Sequence, residues 1–142
     1  MAETATIEAS QWAIGTMLAE TTHGPITRKT LALFAGASND HVDLHIDSDF
    51  AKAAGLEDVI AHGMLTMAYL AQALESWADP ERLRGWDVRF TAMVPVLAAI
   101  RCRAEVIEIF QEEGEKRARL KICALTTSGT EAVAGEAVLA IH

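Results

Sequence analysis

The most constraining feature of the sequence is a change of hydrophobic period near residue 80. Residues 64–77 are apolar almost all round until Gln72 and Glu75 interrupt the run. Such a stretch predicts a long helix that is buried on every side. From residue 83 onward apolar and polar residues alternate, which is the period of a β-strand. One long helix and several strands predict an α+β domain, in which an antiparallel β-sheet wraps round one long central helix.

The second half of the chain supplies the predicted sheet. Four alternating segments are interpreted as its strands: residues 83–94, 100–110, 117–127 and 130–141. Turn residues at 111–115 and at Ser128-Gly129 predict hairpins, so we expect an antiparallel meander. The chain has 142 residues and no internal repeat, which predicts a single domain over residues 1–142.

The first half predicts shorter elements. Residues 1–10 lack periodicity and are interpreted as a loose arm, and residues 11–20 as extended chain. The remaining expectations are a turn at 23–25, a helix that starts after the cap Thr27 and ends at Gly36, and a short helix over 48–54 that Gly55 stops.

The composition excludes several classes of function. A formal net charge of −8 argues against a nucleic-acid partner, because phosphate binding needs a basic face. No apolar run approaches the roughly 20 residues that span a membrane, and the N-terminus lacks the features of an export signal. We therefore expect a cytoplasmic protein. Cys102 and Cys123 are interpreted as buried thiols, with a disulfide as the less favoured alternative, and they make a poor metal site.

The chemically active side chains concentrate in residues 34–67. Asp40 and His45 lie five positions apart in a polar segment, and a carboxylate that meets an imidazole forms a general acid–base pair. The alternative is an ordinary loop whose aspartates cap helices and whose histidines face solvent. Gly63 opens the long helix, so free backbone N–H groups at its positive end can stabilise an oxyanion. A simple helix cap is the alternative interpretation of this glycine.

This stretch resembles a known motif. Ser38-Asn-Asp40-x4-His45-x-Asp47, followed by His62-Gly63-Met64, is similar to the hydratase motif of MaoC-like (R)-specific enoyl thioester hydratases. Residues 88–96 resemble a strand of the small acyl dehydratases in the same family. The resemblance covers about residues 26–97. It implies a hot-dog fold, and either a homodimer or a heterodimer with a related hot-dog subunit.

The resemblance also implies residue roles. Asp40 and His45 would deprotonate a water that adds to C3 of a trans-2-enoyl thioester, and they would supply the proton at C2. The Gly63 N–H would polarise the thioester carbonyl. The acyl group would be carried by coenzyme A or by an acyl carrier protein, with neither metal nor cofactor. Three further residues complete the expected substrate site, with His62 in a structural role at the helix start: His62, Tyr69 and Val42.

The sequence departs from the family pattern in the central helix and in the loop. Some family members have a serine along the helix, where this chain has Ala68 and Ala71, and Thr66 one turn earlier is expected to face elsewhere. Val42-Asp43 stands where the family has Asn-Pro, and Asn39 stands where the motif has glycine. The Val42 side chain cannot form a hydrogen bond, and the loss of proline frees the loop backbone. These changes imply a different substrate, support of the loop by other groups, or weak activity. Two other functions stay open. One is a hot-dog acyl-CoA thioesterase, and the other, which the Val42-Asp43 change favours, is a non-catalytic acyl-binding subunit of a hetero-oligomeric dehydratase.

Overall fold

The computed structural model describes residues 7–141. Its helices and strands follow in the order β1 (Thr21–His23), α1 (Arg28–Ser38), α2 (Ser48–Ala53), α3 (Gly63–Trp77), β2 (Leu83–Phe90), β3 (Ile100–Glu112), β4 (Glu115–Thr126) and β5 (Glu131–Ala140). Single-turn 3-10 helices lie at Ala9–Gln11, Asp43–His45 and Pro80–Arg82. Within residues 7–141, no helix has the length and apolar character needed to cross a membrane.

The five strands form one antiparallel sheet in the spatial order β1-β3-β4-β5-β2. The meander prediction is confirmed for β3, β4 and β5, which follow one another directly. It is wrong for β2, which pairs with β5 at the far edge of the sheet instead of with β3. The connection from β2 to β3 passes the start of α3, where the Ala61 N–H donates to the Val94 carbonyl at 2.8 Å. The connection therefore leads from β2, at one edge of the sheet, to β3, which lies beyond β5 and β4.

The turns between the strands differ in how well the sequence predicted them. Glu113 and Gly114 both have positive φ and form the expected tight hairpin between β3 and β4. The predicted two-residue turn at Ser128-Gly129 is instead a longer loop between Thr126 and Glu131. In this loop Gly129 has a φ of 88°, and the Thr130 N–H donates to the Thr126 hydroxyl at 3.2 Å. This hydrogen bond stabilises the longer loop over residues 127–130, which the alternating pattern does not predict.

Helix α3 packs one side onto the sheet. Its buried residues Leu65, Leu70, Leu74 and Trp77 face the inward side chains of the strands. Burying each such side chain contributes about 1.5–3 kcal/mol. The prediction that the helix is buried on every side is wrong for the single chain, because Met64 is 56% exposed on the side that the sheet does not cover. A central helix held against a curled antiparallel sheet is the hot-dog fold, as the resemblance implied.

Three boundaries in the first half differ from the prediction. Helix α1 continues through Gly36 to Ser38, because a helix tolerates an isolated glycine in its interior. Helix α2 covers Ser48–Ala53, one residue shorter than predicted, and its cap is Asp47, whose carboxylate accepts from two backbone N–H groups. The extended segment before β1 touches β3 through one isolated bridge, Met17 to Glu105, and strand β1 begins only at Thr21. The predicted cap Thr27 is confirmed.

Both cysteines are free. Cys102 is fully buried under α3, and this burial raises the pKa of its thiol to about 11. Cys123 lies on the other face of the sheet and is half-buried. The prediction of buried thiols is therefore confirmed for Cys102 and only in part for Cys123.

Candidate active site

Asp40 is placed by the end of α1. Asn39 adopts the left-handed conformation, with a φ of 57°, and turns the chain out of the helix. This conformation favours glycine, and asparagine is the next most common residue there, which explains the departure of Asn39 from the motif. The Ser38 hydroxyl donates to the Phe34 carbonyl at 2.6 Å and accepts from the Asp40 N–H at 3.3 Å. The Ser38-Asn39-Asp40 motif therefore ends α1 and fixes the position of Asp40 just after the helix.

His45 lies at the end of the 3-10 helix Asp43–His45 and faces Asp40. Its Nδ1 is 2.8 Å from the Ile60 carbonyl oxygen, which can only accept, so Nδ1 carries the hydrogen. In the neutral ring Nε2 is then a free base, and it lies 3.9 Å from the Asp40 carboxylate. This separation is too long for a direct hydrogen bond. It admits an oxygen atom about 2.8 Å from both groups, which is the geometry of a shared water.

His62 lies behind this pair and supports it. Its side chain is 1% exposed, its Nε2–H donates to the Asp40 carbonyl at 3.1 Å, and its ring stacks on His45 with centroids 3.9 Å apart. The Phe34 ring meets it edge-on at 4.9 Å. Burial lowers the pKa of His62, the bond to Asp40 opposes this, and the neighbouring His45 lowers it further. His62 is therefore a neutral ring that holds both the Asp40 main chain and the His45 plane, as its predicted structural role requires.

Gly63 begins α3 at the mouth of a cleft of about 490 Å³. Its predecessor His62 provides no side-chain cap, so within the described chain the first N–H groups of the helix are free of a capping side chain. The helix dipole adds positive potential at this end. The cleft is otherwise mainly apolar, and its lining includes His45, Gly63, Thr66, Phe90, Met93 and Val133. A carbonyl oxygen that enters it can approach the Gly63 N–H beside the His45 ring.

Four residues predicted for the site are not among those that line the cleft: Asp40, His62, Val42 and Tyr69. Val42 is 52% exposed, and its contact with the pair is a backbone N–H that donates to the Asp40 carboxylate at 3.3 Å. Tyr69 is half-buried and stacks on His23 with ring centroids 4.9 Å apart. The contact of Val42 and Tyr69 with substrate stays a prediction.

Two cleft residues were not among the predicted site residues, and the expectation that Thr66 faces elsewhere is wrong. Thr66 lies three positions after Gly63, which places it on the same face of α3 one turn along. Phe90 ends β2 and reaches the cleft because its alternation with Val88 points it toward α3. The helical spacing from Gly63 is a signal that could have identified Thr66. No local signal links Phe90 to the helix start, because the two come together only through the fold.

The side chains of Asp40, His45 and His62 are also of the types that bind metal ions. Each of them offers one atom, and these atoms lie within 4.8 Å of one another. The two imidazole rings are stacked at 23°, so their in-plane lone pairs run side by side rather than converging on one point. Each ring also gives one nitrogen to a backbone carbonyl. Metal bonds of about 2.0–2.1 Å would require a ring to leave this stack, so the arrangement suits acid–base chemistry better.

Fold and site together define a hot-dog domain with a carboxylate–imidazole pair at the start of its central helix. Comparison with protein families gives a match to the MaoC like domain over residues 9–126. The chain therefore belongs to the MaoC-like domain family, which confirms the resemblance.

Relatives agree with this assignment. A segment of 65 residues is 43% identical to the fatty acid synthase beta subunit hexB of Dothistroma septosporum, and covers 43% of this chain but 3% of that one. A segment of 90 residues is 31% identical to 3-hydroxyacyl-thioester dehydratase Z of Mycobacterium tuberculosis, and covers 59% and 60% of the two chains. The match thus spans only part of each relative. The R-hydratase PhaJ1 of Pseudomonas aeruginosa has a TM-score of 0.82 and 29% identity, over 95% of this chain and 86% of that one.

Proposed function

We propose that the protein is a hydro-lyase, an (R)-type 2-enoyl thioester hydratase that also runs in reverse as a 3-hydroxyacyl thioester dehydratase. The observation that carries the proposal is the 3.9 Å approach of the Asp40 carboxylate to the His45 imidazole, beside the uncapped helix start at Gly63. Family membership and the hydratase and dehydratase names of the relatives support the same chemistry.

The pair activates water. A water molecule between Asp40 and His45 donates one hydrogen bond to the carboxylate and one to Nε2, because the Ile60 carbonyl keeps the hydrogen of His45 on Nδ1. Nε2 takes a proton as the water oxygen bonds to C3 of the enoyl group. The π electrons of the C2–C3 bond move onto C2 and the thioester oxygen, which gives an enolate. The proton then passes to C2, so one water has been added across the double bond.

The enolate requires a positive site for its oxygen. The Gly63 N–H at the start of α3 provides it, and the helix dipole adds to the stabilisation. His45 and Gly63 line the same cleft, so water attack and carbonyl polarisation occur on one bound substrate. A second groove of about 450 Å³ shares Ile60 and Met93 with this cleft and provides a route for the thiol arm of coenzyme A or of a carrier protein.

The active unit in this proposal is a pair of hot-dog chains, either two copies or one copy with a related subunit. Among the described strands, the eight-residue β2 pairs only with β5, so its outer edge is free. Met64, Phe90 and Met93 are 56%, 55% and 62% exposed. A free strand edge and exposed apolar side chains favour pairing with another chain. Sedimentation equilibrium of the purified protein tests this, and a stable monomer that hydrates enoyl-CoA unaided would contradict it.

The catalytic assignment is tested with Asp40→Asn and His45→Gln, assayed on 2-enoyl-CoA substrates from short to bulky. Each variant should lose about 10²–10⁴-fold in hydration rate, which is the usual contribution of a general acid or base. Asp49→Asn and His41→Gln are matched controls, because both residues are exposed and lie outside the pair. The site assignment is wrong if both active-site variants keep the parent's turnover on a substrate that the parent hydrates.

The thioesterase alternative is decided in the same assay by the product. Hydration gives a 3-hydroxyacyl thioester with no free thiol, whereas hydrolysis releases the thiol. Chiral separation of the hydroxy acid then establishes the (R) configuration. An acyl-binding subunit without activity would produce neither product alone, but would restore turnover when it is co-expressed with a paired chain.

A further inference from the structure

Thr66 carries a buried hydroxyl without a partner. The residue is 0% exposed, and within residues 7–141 its Oγ has no hydrogen-bond partner. A threonine in a helix commonly bonds its hydroxyl to the carbonyl one turn earlier, which here is that of His62. That bond is absent in the described chain. A buried hydroxyl left without a partner destabilises the fold, so this one calls for an explanation in terms of function.

The position of the hydroxyl indicates its ligand. Thr66 follows Gly63 by three positions, so the two residues share one face of α3, and both line the cleft that His45 enters. The cleft thus brings together a helix start, which offers free N–H groups, and a buried O–H without an acceptor. Both are hydrogen-bond donors, and both lie beside the base that activates water. The complementary group is an oxygen acceptor next to the reacting carbons.

We propose that the Thr66 hydroxyl is a second donor to the thioester carbonyl oxygen, alongside the Gly63 N–H. This inference rests on the proposed function, because the acceptor is the carbonyl of the enoyl thioester. In an enoyl thioester that oxygen gains negative charge as water adds to C3. Two donors from one helix face then hold the enolate oxygen, and the hydroxyl gains the partner that it lacks in the free protein.

The Phe90 ring lies beside the first of these two donors. A Cβ built on Gly63 would lie 3.1 Å from two carbons of the ring, so the ring fills the space beside the glycine. The ring itself is 55% exposed in the single chain. Phe90 therefore borders the space in which a carbonyl oxygen can meet both donors.

The first test compares Thr66→Val with Thr66→Ser. Valine keeps the branched shape and removes the hydroxyl, so T66V should melt at or above the parent temperature but lose about 10–100-fold in kcat/KM. T66S should stay within about threefold of the parent, because it keeps the donor. Thr126→Val is the matched control. Its buried hydroxyl contacts Ser128 and Thr130, so T126V should lose stability and keep kcat/KM. Wild-type kcat/KM in T66V would overturn the proposal.

The second test measures binding without turnover. Butyryl-CoA carries the carbonyl oxygen, and the thioether S-butyl-CoA lacks it. T66V should weaken butyryl-CoA binding about tenfold relative to S-butyl-CoA, because only the thioester can accept the hydrogen bond. An equal loss for both ligands, or none, would overturn the role of Thr66. The affinity ratio remains informative if no enoyl-CoA is hydrated, so a failure of the proposed function is distinguished from a failure of this inference.

Discussion

The substitution Gly63→Ala separates the two interpretations of the glycine that opens α3. An oxyanion donor needs open space beside its N–H, whereas a helix start needs only a compatible backbone. Gly63 does not have positive φ, so alanine can adopt its conformation. The added Cβ would lie 3.1 Å from two ring carbons of Phe90. That ring is 55% exposed and has to move by only a few tenths of an ångström.

The expected effects on stability and activity differ in size. Alanine in place of glycine favours a helix by about 0.5–1 kcal/mol, and turning the Phe90 ring off its preferred rotamer costs about the same. The net change in unfolding free energy should therefore lie within about 0.5 kcal/mol, or about 2 °C in Tm. The methyl group stands where the thioester approaches Gly63. Loss of one oxyanion donor lowers kcat about 10²–10³-fold, equivalent to about 2.7–4 kcal/mol.

Thermal melting and the decay of the conjugated enoyl thioester absorbance measure the two effects on one sample. Gly36→Ala is the matched control, because a Cβ at this helical position meets nothing within 4 Å among the described residues. It should raise the unfolding free energy by about 0.5–1 kcal/mol and leave kcat/KM unchanged. Wild-type kcat/KM in G63A would refute the oxyanion role. A fall in Tm of more than about 8 °C would instead show that the glycine is needed for packing.

Two further predictions concern stability. Gly135→Ala should lower the unfolding free energy in urea by about 3 kcal/mol or more, since its Cβ would lie 1.9 Å from the Asp87 carbonyl across the β5–β2 pair; wild-type stability would contradict this contact. The Ser48 hydroxyl is the main reason that the pKa of Asp58 falls to about 2. The ionised Asp58 carboxylate therefore contributes to the free energy of unfolding fully above pH about 4, and this contribution is lost as the pH falls toward 2. Urea midpoints should therefore drop less on acidification in Asp58→Asn than in the parent.

The elements of the fold could be predicted where the period of the sequence is clear. Helix α3 was placed correctly because residues 64–77 form one long apolar run, and strands β3 to β5 because apolar and polar residues alternate through each. The position of β2 could not be predicted, because its pairing with β5 joins segments about 50 residues apart and leaves no mark on local alternation. The exposed side of α3, including Met64, was missed because composition does not reveal which faces the sheet leaves open.

The candidate site was predicted in part. The motif identified Asp40 and His45, but the hydrogen position on His45 follows only from its contact with the Ile60 carbonyl. Asn39 looked like a loss of the motif glycine, yet it adopts the left-handed conformation that glycine would adopt there. Thr66 was expected to face elsewhere because it lies one turn before the positions compared with the family serine. Only its missing partner, which requires the fold, distinguishes it.

The departure at Val42-Asp43 falls in the loop between Asp40 and His45. Val42 has φ −60° and ψ 131°, the extended conformation that a following proline imposes on its predecessor. Asp43 opens the 3-10 helix, the position where proline is most common in helices. The Val42 N–H donates to the Asp40 carboxylate, which an asparagine at this position would also do. The backbone thus has a conformation that an Asn-Pro pair could also adopt.

Asp43→Pro tests this reading of the loop directly. Among the described residues, the Asp43 N–H donates no hydrogen bond, so proline removes no contact. It should raise the unfolding free energy by about 0.5–1 kcal/mol by restricting the unfolded chain, with kcat/KM unchanged on the preferred enoyl-CoA. A loss of stability greater than about 1 kcal/mol would show that the Asp43 carboxylate supports the loop. If the prediction holds, any change in substrate preference at this departure comes from the side chain of Val42.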